Sequence, residues 1–141
     1  MQTEAVADWA GKSSVLVVDD HALLRTGVAN IINQEPDLRV VAEAGNGVEA
    51  IEVMERHSGT IDLVVSDVVM PEMDGPALLK ELRQRRPQLR IIFVSGYAEE
   101  AFAKSLPEGG QFEFLPKPFT LKQLIAKVKD TMSEQAHARS A

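Results

Sequence analysis

Short, nearly continuous apolar runs alternate along this chain with longer stretches in which apolar residues recur every three or four positions. The strongest runs are Val15-Leu16-Val17-Val18, Ile61-Asp62-Leu63-Val64-Val65 and Ile91-Ile92-Phe93-Val94. Their β-branched, almost unbroken character predicts strands covered on both faces. Arg39-Val40-Val41-Ala42 and Phe112-Glu113-Phe114-Leu115 are weaker runs of the same kind and complete a set of five. Between them the period lengthens. Leu24, Val28, Ile31 and Ile32 put one apolar stripe on a helix over 21–34. Asn46 with Glu49 has the spacing of a capping box and opens a helix to about Arg56. Gly75-Pro76 starts another, with Pro at the first helical position and Leu78, Leu79 and Leu82 facing inward. Thr120 with Gln123 caps the last, whose stripe is Leu121, Leu124, Ile125, Val128 and Met132. The segment 98–106 is the weakest helix, short and stopped by Pro107 and Gly109-Gly110.

Strand alternating with helix predicts an α/β fold, (βα)5, with parallel pairing, right-handed crossovers and helices on both faces of a doubly wound sheet. The length of 141 residues suits one domain over about 14–133. Residues 1–13, with an isolated Trp9, and residues 134–141 are expected to be flexible tails. With 21 acidic against 15 Lys and Arg residues the net charge is −6, so direct binding to free nucleic acid is not expected. Arg83, Arg85 and Arg86 form the densest basic group and are read as the solvated face of a helix. The absence of cysteine excludes disulfides, thiolate metal sites and a Cys nucleophile. No apolar run approaches the roughly 20 residues that cross a bilayer, so membrane insertion is not expected. The stretch Met1 to Ser14 lacks the basic and apolar regions of a secretory signal, which makes the cytoplasm the expected location.

In open α/β sheets, function gathers at the carboxyl ends of the strands. Here those ends carry Asp19-Asp20, Ser66-Asp67, Ser95-Gly96 and Pro116-Lys117-Pro118. One Asp after a strand is ordinarily a turn or helix cap. Three on one rim repel one another and call for a cation. Carboxylates with no His or Cys among them are hard oxygen ligands that suit Mg²⁺, with Mn²⁺ as a substitute, rather than zinc or copper. Asp19, Asp20 and Asp67 contribute three negative charges, and a divalent ion with Lys117 contributes three positive ones. A site so neutralised is ready for a phosphoryl group, and Asp is an established phosphate-accepting nucleophile.

This combination resembles the receiver domains of bacterial two-component signalling over about residues 14–133. The resemblance rests on Asp19-Asp20, on Asp67-Val68-Val69-Met70-Pro71 followed by Met73-Asp74-Gly75, on Ser95, and on Lys117-Pro118. Residues 14–45 resemble receivers of NarL/FixJ-type regulators, in Asp19-Asp20-His21-Ala22-Leu23-Leu24-Arg25 and Val40-Val41-Ala42-Glu43-Ala44. From about residue 46 onward the chain resembles the receivers of CckA-type hybrid histidine kinases, in Val64-Val65-Ser66-Asp67-Val68-Val69-Met70-Pro71 and Phe114-Leu115-Pro116-Lys117-Pro118-Phe119-Thr120. The resemblance implies a flavodoxin-like strand order, 2-1-3-4-5, with Asp67 as phosphoacceptor. It implies Mg²⁺ held by Asp20, Asp67 and the backbone carbonyl of Val69, with Asp19 acting through water. Ser95 and Lys117 would contact phosphoryl oxygens, and Pro118 would be a cis proline. The implied partners are a histidine kinase, a histidine phosphotransferase or both. The implied state is a monomer or weak dimer, and a signalling phosphoacceptor rather than an enzyme.

Several features have plainer readings. His21 beside the acidic pair could serve as a ligand or proton donor, but with an oxygen-only ligand set the favoured reading is the start of the first helix. Gly45-x-Gly47 lacks the rest of a dinucleotide-binding fingerprint and reads as a turn. Phe114 is either core or the family's mobile aromatic, which moves inward as Ser95 turns toward phosphate. Val69 and Tyr97 flank the pocket in the family. The rival class is a phosphohydrolase with an Asp nucleophile. It needs a second Asp two positions on, where Val69 stands, and a substrate-covering cap for which the chain leaves little room. A receiver-like module that is never phosphorylated is the third reading, and the intact acidic set opposes it.

Overall fold

The computed structural model describes residues 12–57, 59–70, 73–96 and 112–140, with side chains described up to residue 133. Its elements run β1 Ser13–Val18, α1 Ala22–Asn33, β2 Leu38–Ala44, α2 Gly47–Arg56, β3 Leu63–Asp67, α3 Gly75–Arg85, β4 Arg90–Ser95, β5 Glu113–Pro116 and α4 Leu121–Ser140. The strands form one five-stranded sheet in the order β2-β1-β3-β4-β5, every neighbouring pair parallel. That is the expected fold. The expected helix over 98–106, Trp9 and Tyr97 all lie outside the described residues.

Alternation along the strands divides the core into two layers. Leu16, Val18, Val64, Ile91 and Phe93 face one side, where Ala50, Ile51 and Met54 of α2 and Leu78, Leu79 and Leu82 of α3 cover them. Val15, Val17, Leu63, Val65, Ile92 and Val94 face the other, against Val28 and Ile32 of α1 and Leu124 and Val128 of α4. With both faces of the inner strands β1, β3 and β4 covered, their middles are apolar and their polar residues fall toward the ends, and the nearly unbroken apolar runs follow from that.

The boundaries differ from expectation where polar groups find partners. The third run begins at Ile61, yet the ladder begins at Leu63, because Ile61 and Asp62 are tied differently. The Asp62 N–H donates to the Ser14 carbonyl at 2.8 Å, Ser14 N–H donates to Asp62 Oδ2 at 2.8 Å, and Arg86 donates to the Ile61 carbonyl. The strand then continues through Ser66 and Asp67, both buried. Ser13, expected in a tail, pairs with Leu38. Residues 134–140, also expected as a tail, continue α4, since Glu, Gln, Ala and Arg favour helix and no Gly or Pro intervenes. Arg83 and Arg86 are more than a solvated face. Arg83 donates to the Leu89 carbonyl and Arg86 to that of Ile61, while Arg85 pairs with Glu81 at 3.0 Å.

The caps match their sequence signals with two adjustments. Thr120 and Gln123 bond reciprocally, at 2.8 and 3.0 Å. Asn46 Oδ1 accepts from Glu49 N–H at 2.9 Å, but the returning Glu49 Oε1 accepts from Gly45 N–H, one residue ahead of the cap. In α3 the cap is Asp74, whose side chain accepts from Ala77 N–H, so Gly75 takes the first helical position and Pro76 the second.

Candidate functional site

Register alone brings two of the carboxylates together. In the β1–β3 pair Val18 lies opposite Ser66, so the next residues, Asp19 and Asp67, leave the sheet side by side. Both are buried, at 3 % and 7 % exposure. Asp20 is exposed beside them. On the other flank Asp67 pairs with Val94, and Ser95, the last residue of β4, is buried one step further on. The Ser95 carbonyl accepts the Lys117 N–H at 2.7 Å, which anchors the end of β5 to β4. From there Lys117 Nζ reaches Asp67 Oδ1 at 3.4 Å, and the Lys117–Pro118 peptide is cis. Five of the residues singled out by sequence thus converge: Asp19, Asp20, Asp67, Ser95 and Lys117. Val69 follows on the loop after β3, 55 % exposed, and that loop is closed by a 2.7 Å bond from Gly75 N–H to the Val68 carbonyl. Phe114 is buried in the layer beneath α2 and α3, on the same face as Phe93.

The Asp67 carboxyl is held above the usual aspartate range. Burial is the largest cause, and the neighbouring Asp19 charge adds to it. The Lys117 ammonium and the Val68 N–H, which donates to Oδ1 at 2.9 Å, pull the other way without cancelling the burial. A buried carboxylate against a second carboxylate is short of positive charge. One ammonium does not supply it.

Two residues join the site beyond the oxygen set. Arg25 donates from Nη1 to the Asp19 carbonyl at 2.7 Å and from Nε to Glu43 Oε1 at 3.1 Å, bracing the turn that presents Asp19 and Asp20. A lone cation in the first helical turn after an acidic pair was the available sequence signal. His21 caps α1 through its backbone, as expected. Its ring also stands among the acids, with Nδ1 3.4 Å from Asp19 Oδ1 and 3.2 Å from Asp20 Oδ1. One ligand atom each from Asp19, Asp20, His21 and Asp67 lie within 4.8 Å of one another. Three hard oxygen donors gathered this closely around missing positive charge fit a Mg²⁺ that keeps several waters.

The model of the response regulator receiver domain matches residues 15–129. The chain belongs to the response regulator receiver family. It is 50 % identical over 134 residues to the sensor kinase CckA of Brucella abortus (strain 2308), covering 95 % of this chain and 14 % of that protein. The chain therefore spans only a small part of that relative. Among solved structures, the receiver domain of the hybrid histidine kinase CckA is 37 % identical with a TM-score of 0.70, over 84 % of this chain and 98 % of that one. The receiver of NarL from Mycobacterium tuberculosis is 31 % identical with a TM-score of 0.75, over 84 % and 94 %. Both resemblances seen in the sequence are thus present, the CckA one the stronger by identity. Among the described residues, no helix is long and apolar enough to cross a membrane.

Proposed function

We propose that this receiver accepts a phosphoryl group on Asp67 from a phosphohistidine and relays it or changes partner binding in response. The observation that carries the reading is a buried carboxylate at the end of β3 with an ammonium 3.4 Å away and two further carboxylates from the turn after β1 beside it. In the transfer a carboxylate oxygen of Asp67 attacks phosphorus, an O–P bond forms as the N–P bond of phosphohistidine breaks, and the bond's electron pair stays on the ring nitrogen, so that the imidazole, already protonated on its other nitrogen, departs neutral. Lys117 offsets charge on the phosphoryl oxygens, and the Ser95 hydroxyl donates to one of them. Asp20, Asp67 and the Val69 carbonyl would hold Mg²⁺, and Asp19 would act through a water. The bound ion supplies neutralisation of the acidic cup and of the incoming phosphoryl charge. Arg25 keeps the Asp19-Asp20 turn in place while charge in the cup changes.

In this reading Ser95 and Phe114 form the switch, as the likeness to the family implies: Ser95 ends β4, and Phe114 lies on the neighbouring β5 opposite Phe93. The partners are a histidine kinase, a histidine phosphotransferase or both, in the cytoplasm. Output passes through protein contacts. Incubating the chain with a small phosphodonor and Mg²⁺, followed by intact mass measurement, tests the core of it. A single phosphoryl adduct that is absent in Asp67→Asn is the expected result. Steady release of phosphate over many turnovers would instead indicate a hydrolase, and no adduct under saturating donor would indicate a module that binds without being phosphorylated.

A further inference from the structure

We infer that His21 makes the acidic cup discriminate among divalent ions: later first-row ions such as Ni²⁺ are bound with the His21 imidazole as an additional ligand, while Mg²⁺ is bound by the oxygen donors without it. The inference deepens the receiver reading, because it concerns the same cup.

The geometry is specific. His21 N–H donates to Asp19 Oδ1 at 2.8 Å, which winds residues 19–21 tightly and keeps the ring on the carboxylate side of the turn. Nδ1 then lies 3.2 Å from Asp20 Oδ1 and 3.4 Å from Asp19 Oδ1, inside the group of ligand atoms that also includes Asp67. The side chain makes no capping bond, so the helix does not need the ring elsewhere. It is 71 % exposed, so one edge of the ring can face water while Nδ1 faces the acids. An ion in this cup is offered three carboxylates and one imidazole on the same side.

Ions differ in what they do with that offer. Mg²⁺ demands oxygen in near-octahedral array and retains its waters, so an imidazole adds little. Affinity for nitrogen donors rises from Mn²⁺ through Ni²⁺ to Cu²⁺, and imidazole suits Ni²⁺, Cu²⁺ and Zn²⁺. Removing the ring should therefore separate the ions.

Titration calorimetry of the full chain with Ni²⁺ and with Mg²⁺, at one pH, tests this on the wild type, His21→Ala, His57→Ala and Asp20→Asn. His21→Ala is expected to lose about tenfold or more in Ni²⁺ affinity and less than about twofold in Mg²⁺ affinity. His57→Ala is expected to change neither, and Asp20→Asn to weaken both. Loss of a shift in the His21 imidazole nitrogen resonance on adding Zn²⁺, compared between wild type and Asp20→Asn, reports the same ligand without any phosphorylation step. The inference is overturned if His21→Ala leaves Ni²⁺ affinity within twofold, if it weakens both ions equally, or if Asp20→Asn spares Ni²⁺ and so places that ion elsewhere. A wild-type chain that binds Ni²⁺ through His21 but takes up no Mg²⁺ would instead sink the phosphoacceptor reading and leave His21's role standing.

Discussion

Asp67 shows how a single side chain can be placed at an energetic disadvantage for the sake of its chemistry. Its folded-state carboxyl is raised above the ordinary value, chiefly by burial, so the ionised form is disfavoured in the fold relative to the unfolded chain. A raised carboxyl favours folding at acid pH, and that benefit is lost as pH climbs through the folded value. At neutral pH the charge is therefore a net cost. Asp67→Asn keeps the shape and removes the charge. It is expected to stabilise the ion-free protein at neutral pH by on the order of 1 kcal/mol, a rise of about 3 °C in melting temperature. The advantage should shrink as pH falls toward the unfolded carboxyl's range, where both proteins carry a neutral group. Melting curves at several pH values check it, and an Asn variant less stable than wild type at neutral pH would contradict the assignment of burial as the leading cause. Asp67 was legible in the sequence because an acidic residue ending an apolar run is conspicuous. The direction in which Arg25 and the His21 ring turn was not, because it depends on which way a helix turn faces, and spacing alone does not carry that.

At the scale of elements, the loop that presents Asp67 is held by a tight contact from α2. A Cβ added at Gly47 would fall 2.7 Å from Met73 Cβ and 2.8 Å from both Met73 Cγ and the Met73 carbonyl oxygen. Gly47 therefore lets the first turn of α2 press against the segment joining β3 to α3. Gly47→Ala is expected to destabilise by about 1–3 kcal/mol, the usual cost of overpacking. Trimming the neighbour should help little. Met73→Ala removes Cγ but keeps Cβ and the carbonyl, so the double variant should stay within about 1 kcal/mol of Gly47→Ala alone. Denaturant midpoints decide this, and full rescue by Met73→Ala would show that only the far end of the side chain was in the way. The sequence reading treated Gly47 as part of a turn, since a contact with a residue 26 positions away leaves no local mark. The capping boxes at Asn46 and Thr120 were readable for the opposite reason: each is closed within four residues. The strand limits fell between these cases. Ile61 and Leu63 are equally apolar and equally buried, and only the bonds from Ser14, Asp62 and Arg86 separate ladder from lead-in.

For the whole molecule, the parallel register that builds the core also builds the cup. The pairs Val18 with Ser66 and Asp67 with Val94 lie in the same ladders that hold both apolar layers together, so the acids cannot move apart without unzipping the central strands. Repulsion within the cup is consequently charged against the stability of the entire sheet, and an ion that relieves it must stabilise the entire sheet in return. Mg²⁺ at ten times its dissociation constant is expected to add about 1.4 kcal/mol, near 5 °C in melting temperature, with a further rise as concentration increases. Asp20→Asn should abolish most of that response while changing the ion-free stability little, because Asp20 is exposed and sits outside both layers. Sodium chloride at matched ionic strength separates binding from screening, since screening acts on exposed charges and only weakly on the buried pair Asp19 and Asp67. If sodium chloride reproduced the whole Mg²⁺ effect, or if Asp20→Asn responded as the wild type does, the cup would be no more than a cluster of mutually screened acids. A saturable response confined to the intact cup would tie ion uptake to the two strands on which the rest of the fold is assembled.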